Sequence, residues 1–132
     1  MSGLRGAPRL IVSLGAVAGA ISVAAGAFGA HALTDAVTPE RLATFRTGAT
    51  YGLAHALAAV VAGFAIPAIG RWAGIAGWLF LAGELLFSGS LYALVLLDVP
   101  ALGAITPLGG VAYIAGWLAL GHAAFHGRGG GT

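Results

Sequence analysis

Charged residues leave this chain in four places, each for about the length of a membrane crossing. Leu10 to Leu33 is a run of 24 residues without Asp, Glu, Lys or Arg. As a helix rising about 1.5 Å per residue it covers about 36 Å, more than a hydrocarbon core of roughly 30 Å. Thr47 to Gly70 repeats the pattern, Trp72 to Leu97 repeats it with Glu84 as the sole interruption, and Val99 to Gly127 repeats it once more. The expected fold is all-α: four transmembrane helices at about 10–32, 47–67, 72–97 and 106–126, followed by a flexible glycine-rich tail at 127–132. Short connections make successive helices antiparallel neighbours, so residues 1–132 read as a single integral membrane bundle.

The connections carry their own signals. Thr38-Pro39-Glu40 sets a hydroxyl cap, a proline suited to a first helical turn and an acid at the positive helix end, which starts helix two at Pro39. Its first turns mix Glu40, Arg41 and Arg46 with Leu42 and Phe45 and are expected at the membrane surface. Pro67 favours a stop after Ile66. Thr106 and Pro107 read as the cap and first turn of helix four, and Gly109-Gly110 lets that helix enter beside helix three. Trp72, Trp78 and Trp117 fall near span ends, where indole rings anchor to the interface.

Composition narrows the chemistry. At 59% hydrophobic and 8% charged residues, against roughly 25% charged in soluble domains, little remains for an aqueous domain. The absence of Lys, Cys, Asn and Gln removes Schiff-base lysines, thiol nucleophiles, disulfides and thiolate metal sites. Six scattered arginines against four acids give no nucleic-acid footprint. With four crossings, Arg5, Arg9, Arg71 and Arg128 share one side and Arg41 and Arg46 the other, which places both termini in the cytoplasm. The small residues at Ala25-Gly26-Ala27 resemble a signal-peptide cleavage site, but the apolar run is too long for one and three more spans follow. An Ala-, Gly- and Arg-rich chain without Lys suits a bacterial cytoplasmic membrane.

Four features are candidates for chemistry or contact. On helix one, Gly15, Gly19, Ser22, Gly26 and Gly29 form a narrow stripe, open to packing within the chain or to a dimer or partner subunit. Glu84 stands mid-span with Ser88 and Tyr92 on its face, either as a proton or substrate relay or as a protonated, hydrogen-bonded core group. Tyr51 and His55 lie one turn apart on helix two, placed to join Glu84 in a network. The histidines raise metal and haem. Axial ligation by His31 and His55 requires the two to meet at one level, and His122 with His126 supplies only two ligands for zinc. No metal is expected, and no Ser-His-Asp or paired-carboxylate arrangement accompanies these residues, so no enzyme activity is expected.

Taken in order, Gly26-Ala-Phe-Gly-Ala-His31-Ala-Leu33, then Thr47 to His55, then Phe87-Ser88-Gly89-Ser90-Leu91-Tyr92, then Thr106-Pro107-Leu108-Gly109-Gly110 leading to Gly116-Trp117, form a specific set. With them the chain resembles domain of unknown function family 423, small membrane proteins that include relatives of eukaryotic transmembrane protein 256. The resemblance covers about Leu10 to Gly121 and implies a four-helix integral membrane protein, with no activity, cofactor or catalytic residue attached. The functional expectation is a structural or accessory bundle that packs against itself as a homo-oligomer or against a larger membrane complex. The alternatives are a proton-coupled transporter or channel using Glu84 and His55, and a haem or quinone site.

Overall fold

The computed structural model describes residues 3–127. Four helices dominate it: α1 (Gly6–His31), α2 (Pro39–Ile69), α3 (Arg71–Leu96) and α4 (Thr106–His126). Each is long and apolar enough to cross a membrane, and no strand occurs among the described residues. The glycine-rich tail, with Arg128, lies outside the described residues apart from Gly127.

Local chemistry sets the helix ends. Thr38 Oγ1 accepts from the Arg41 N–H at 3.3 Å and Pro39 opens α2. Pro67 does not end the helix as its sequence suggests. It gives up one backbone bond while α2 runs on to Ile69. The stop is Gly70, whose φ of 85° is cheap only without a Cβ, and whose N–H closes on Ile66 O at 2.9 Å. α3 follows at once, so α2 and α3 form a tight antiparallel hairpin.

Two further expectations need correction. Helix three is not uniformly α-helical, because Glu84–Gly89 forms a π-helical turn whose extra residue shifts the register of everything beyond it. Thr106 is not a cap. α4 begins at Thr106 itself, behind a 3₁₀ turn at Pro100–Ala104 and with no side-chain cap bond, and the Thr106 hydroxyl points to Ser90 instead, with Oγ to Oγ1 at 2.6 Å.

α2 and α3 form the centre, with α1 packed mainly on α2 and α4 mainly on α3. The helices approach closely because small residues line the seams. Ala58, Ala59, Ala62 and Ala76 are buried around Phe80. At Gly109 an added Cβ would collide with the Phe87 backbone nitrogen and lie 2.6 Å from the Leu86 carbonyl carbon, so α4 touches the π-helical turn backbone to backbone. The stripe on α1 faces α2. Gly15 sits over Val60 and Ala56, Ser22 over Gly52, and Gly29 over Phe45. Gly19 is in ordinary contact with Ala56, while Gly26 has nothing within 4 Å of a would-be Cβ and is therefore no part of the close approach. At the Pro39 end of α2, Arg41 joins α2 to α3. Its guanidinium pairs with Asp98 at 2.9 Å and donates to Leu94 O at 3.1 Å. Outward faces carry Leu57, Val61 and Phe64 on α2 and Leu108, Val111 and Leu118 on α4, all exposed and apolar as lipid contact requires.

Candidate functional site

The polar side chains of α2, α3 and α4 converge at the middle of the bundle. His55 comes first, because its partners fix its chemistry. Its Nδ1 lies 2.7 Å from Tyr51 O, and a carbonyl only accepts, so Nδ1 carries the hydrogen. Trp117 donates its indole N–H to Nε2 at 3.0 Å, so Nε2 is a bare acceptor. His55 is thereby held as the Nδ1–H tautomer with both nitrogens in use. Its ring stacks on Tyr113, with centroids 3.6 Å apart and 12° between planes.

Tyr113 is also the partner of Glu84. Its hydroxyl oxygen lies 3.2 Å from Glu84 Oε1 and 3.1 Å from Ser88 Oγ, and Ser88 donates to Gly48 O at 2.7 Å. The expected Tyr51, His55 and Glu84 network is thus replaced. Tyr51 contributes its carbonyl; the residue is 49% exposed, and its ring lies parallel to the His55 ring at 6.0 Å and beside Phe87. Tyr92 does not continue the run from Ser88. Its ring packs on Gly48 and Phe45, and its buried Oη has no hydrogen-bond partner among the described residues. Nor is Trp117 interfacial. It lies midway along α4 and is committed to His55. Tyr113 and Trp117 sit one turn apart on α4, the same spacing that singled out Tyr51 and His55. That spacing was the available signal for the missed pair.

Gly52 makes room for this cluster. The position a Cβ would take is 2.7 Å from Ser22 Oγ, 3.0 Å from Ser88 Oγ and 3.4 Å from Glu84 Oε2. Next to it, the two motifs of helices three and four act as halves of one joint. Ser90 donates to Phe87 O at 2.9 Å and meets Thr106, Gly109 presses on the Phe87 backbone, and Gly110 lies in ordinary contact with the Phe87 ring. Gly89 leaves space beside the Glu84 carbonyl, and Pro107 occupies the first turn of α4.

The remaining candidates stay apart. His31 ends α1, exposed, while His55 lies deep in α2 with no free lone pair to offer iron. The His122 and His126 rings lie 4.4 Å apart, tilted by 32°, with Trp72 edge-on to His122. Among the described residues no three His, Cys, Asp or Glu side chains are grouped to hold a metal. The Arg41–Asp98 pair is the one ion pair among them, so no cation faces Glu84.

The family described as "Protein of unknown function (DUF423)" matches residues 25–110. A UPF0382 membrane protein of Staphylococcus aureus is 41% identical over 112 residues, 85% of this chain and 92% of its own. The UPF0382 membrane protein YwdK of Bacillus subtilis is 42% identical over 112 residues, 83% of this chain and 91% of its own. A UPF0382 membrane protein of Staphylococcus epidermidis is 41% identical over the same length. No solved structure matches.

Proposed function

The chain belongs to the family of proteins of unknown function DUF423, and for this member we propose a structural or accessory role in the bacterial cytoplasmic membrane, without catalysis. The observation that carries this reading is where the polar core ends. The run from Glu84 through Tyr113 and Ser88 stops on the Gly48 carbonyl, and the His55 Nδ1–H stops on the Tyr51 carbonyl. A backbone carbonyl accepts a hydrogen bond but passes no proton onward, so both runs fasten helices and neither relays. Proton counting supports the same reading. Three contacts join Glu84, Tyr113, Ser88 and Gly48, yet the two hydroxyls hold two protons. A proton on Glu84 supplies the third, with Glu84 then donating to Tyr113, Tyr113 to Ser88 and Ser88 to Gly48 O. A neutral acid also fits the cost of a mid-membrane charge, about 2.5 to 3.5 kcal/mol on insertion scales.

Arg5, Arg9 and Arg71 gather at one end of the bundle and Arg41 and Arg46 at the other, which supports cytoplasmic termini. Cysteine at Asp35 is expected to label from outside the cell, and cysteine at Ala68 only after the membrane is opened. The role itself is tested by reconstituting wild type, Glu84→Gln and Glu84→Leu. An amide still donates to Tyr113, so Gln keeps fold and assembly while Leu weakens both. A pH-driven flux in wild type that Gln abolishes with the fold intact would promote the proton-coupled transporter instead. Mass measurement of the protein purified in mild detergent is expected to show more than one chain, or added membrane subunits. A lone stable monomer would remove the accessory role.

A further inference from the structure

Charge is divided unevenly between the two ends of the bundle. The four acids are Asp35 and Glu40 around the start of α2, Asp98 beyond the end of α3, and Glu84 in mid-span, so none lies at the end that holds Gly70. Arg5 and Arg9 at the start of α1, Arg71 at the start of α3, and His122 and His126 at the end of α4 all gather there. At the opposite end Arg41 is paired with Asp98, whereas among the described residues no arginine at the Gly70 end is in an ion pair. A patch of one sign draws its counter-charge from outside the chain.

Arg71 and His122 form the most compact part of this patch. Gly70 is the only residue between α2 and α3, so the Arg71 side chain leaves from the hairpin itself. Its guanidinium carbon lies 6.0 Å from the centre of the Trp72 ring, and His122 of α4 meets the same ring edge-on at 4.8 Å. The end of α4 is held against the hairpin, because a Cβ at Gly127 would lie 2.8 Å from Ile69 Cβ. His126 follows one turn on, its ring 4.4 Å from that of His122. A guanidinium and two imidazoles, all exposed, thus border one indole at the α3/α4 seam.

Depth selects the counter-charge. Phe125, next to His126, is 86% exposed, and Trp72 and Ile75, within one turn of Arg71, are 39% and 38% exposed. Such side chains belong in hydrocarbon or at its edge, so the cations beside them stand where acyl chains give way to headgroups. The anion available at that level is the phosphodiester of a lipid. A guanidinium holds it by two parallel N–H bonds and an imidazole by one, and basic sites between helices at this depth take anionic headgroups. A zwitterionic headgroup brings an ammonium as well, and this end has no acid to receive it. We propose that the Gly70 end of the bundle seats an anionic phospholipid of the phosphatidylglycerol type, its phosphate on Arg71 and His122 at the α3/α4 seam and its acyl chains in the bilayer.

The test uses the full chain in nanodiscs of mixed phosphatidylcholine and phosphatidylglycerol, with one or the other brominated on its acyl chains to quench nearby indoles. The Trp72 signal is wild type minus Trp72→Phe. Phosphatidylglycerol is expected to quench it with an association constant about five-fold that of phosphatidylcholine, the effect of one arginine beside an anionic lipid. The preference is expected to fall to near parity in Arg71→Gln, and in wild type at 1 M salt, where screening acts within about 3 Å. It is expected to stay unchanged in Arg46→Gln at the opposite end, with helicity the same throughout. Equal quenching by the two lipids in wild type would overturn the proposal, as would a preference that survives Arg71→Gln or falls equally in Arg46→Gln. So would a wild-type preference indifferent to salt, an outcome read without any variant at Arg71.

Discussion

Gly109→Ala is the sharpest test of how the bundle is held. The new methyl would collide with the Phe87 nitrogen and lie 2.6 Å from the Leu86 carbonyl carbon and 2.7 Å from Phe87 Cα. Ordinary carbon contacts lie at about 3.5 to 4.0 Å, so α4 and the π-helical turn must part by about 1 Å, because backbone atoms cannot rotate away. The same displacement carries the Ser90–Thr106 contact from 2.6 Å and the Tyr113–Glu84 contact from 3.2 Å beyond hydrogen-bond range. Overpacking costs about 1 to 3 kcal/mol, and two interhelical bonds in a membrane add about 0.6 kcal/mol each. The expected loss is about 2 to 4 kcal/mol. Gly26→Ala is the control, since nothing lies within 4 Å of its Cβ, and its effect should stay within about 0.5 kcal/mol of wild type. Reversible unfolding of the full chain in mixed micelles by added denaturing detergent, followed by helical circular dichroism, measures both. Equal stability of the two variants would refute the backbone contact at Gly109 as the joint between α3 and α4.

Ser88→Ala and Tyr113→Phe each break the 3.1 Å contact between them, so their effects on unfolding should fall short of additive by about 0.6 kcal/mol, with about 1.7 kcal/mol as the ceiling; strict additivity would count against the run. Asp98→Asn should cost less than about 1 kcal/mol, because the Asp98 side chain is 84% exposed. Its effect should fade at 1 M salt, where screening acts within about 3 Å. Arg41→Ala should cost more than Asp98→Asn, since it also strips the Leu94 carbonyl of its donor; equal losses would show that bond to be idle.

The spans were legible because a run of twenty or more apolar residues averages over local detail, and the start of α2 because Thr38, Pro39 and Glu40 all act within one turn. The joint was not. The π-helical turn has no signature in Glu84-Leu85-Leu86-Phe87 alone, and it appears where Gly109, more than twenty residues later, lets α4 press on that backbone. Glu84 was visible as an acid out of place, but its partner depended on the register between α3 and α4, which no single helix encodes. Trp117 misled because an indole in a membrane protein usually marks the interface. Here its N–H goes to a histidine on another helix. Pro67 misled because a helix can spend one backbone bond near its end, and the conformational stop lay at Gly70.

Glu84 as a neutral acid that completes a one-way run of hydrogen bonds is best tested by infrared difference spectroscopy of the full chain in lipid at neutral pH, wild type minus Glu84→Gln. The carboxyl groups of Asp35, Glu40 and Asp98 lie toward the ends of the spans, so Glu84 is the acid within the hydrocarbon. Expected is the carbonyl stretch of a protonated carboxylic acid in wild type, shifted in heavy water and missing in Glu84→Gln, with the amide bands unchanged. A carboxylate band in its place, lost in the same variant, would show that Glu84 is ionised and would contradict the fastening role.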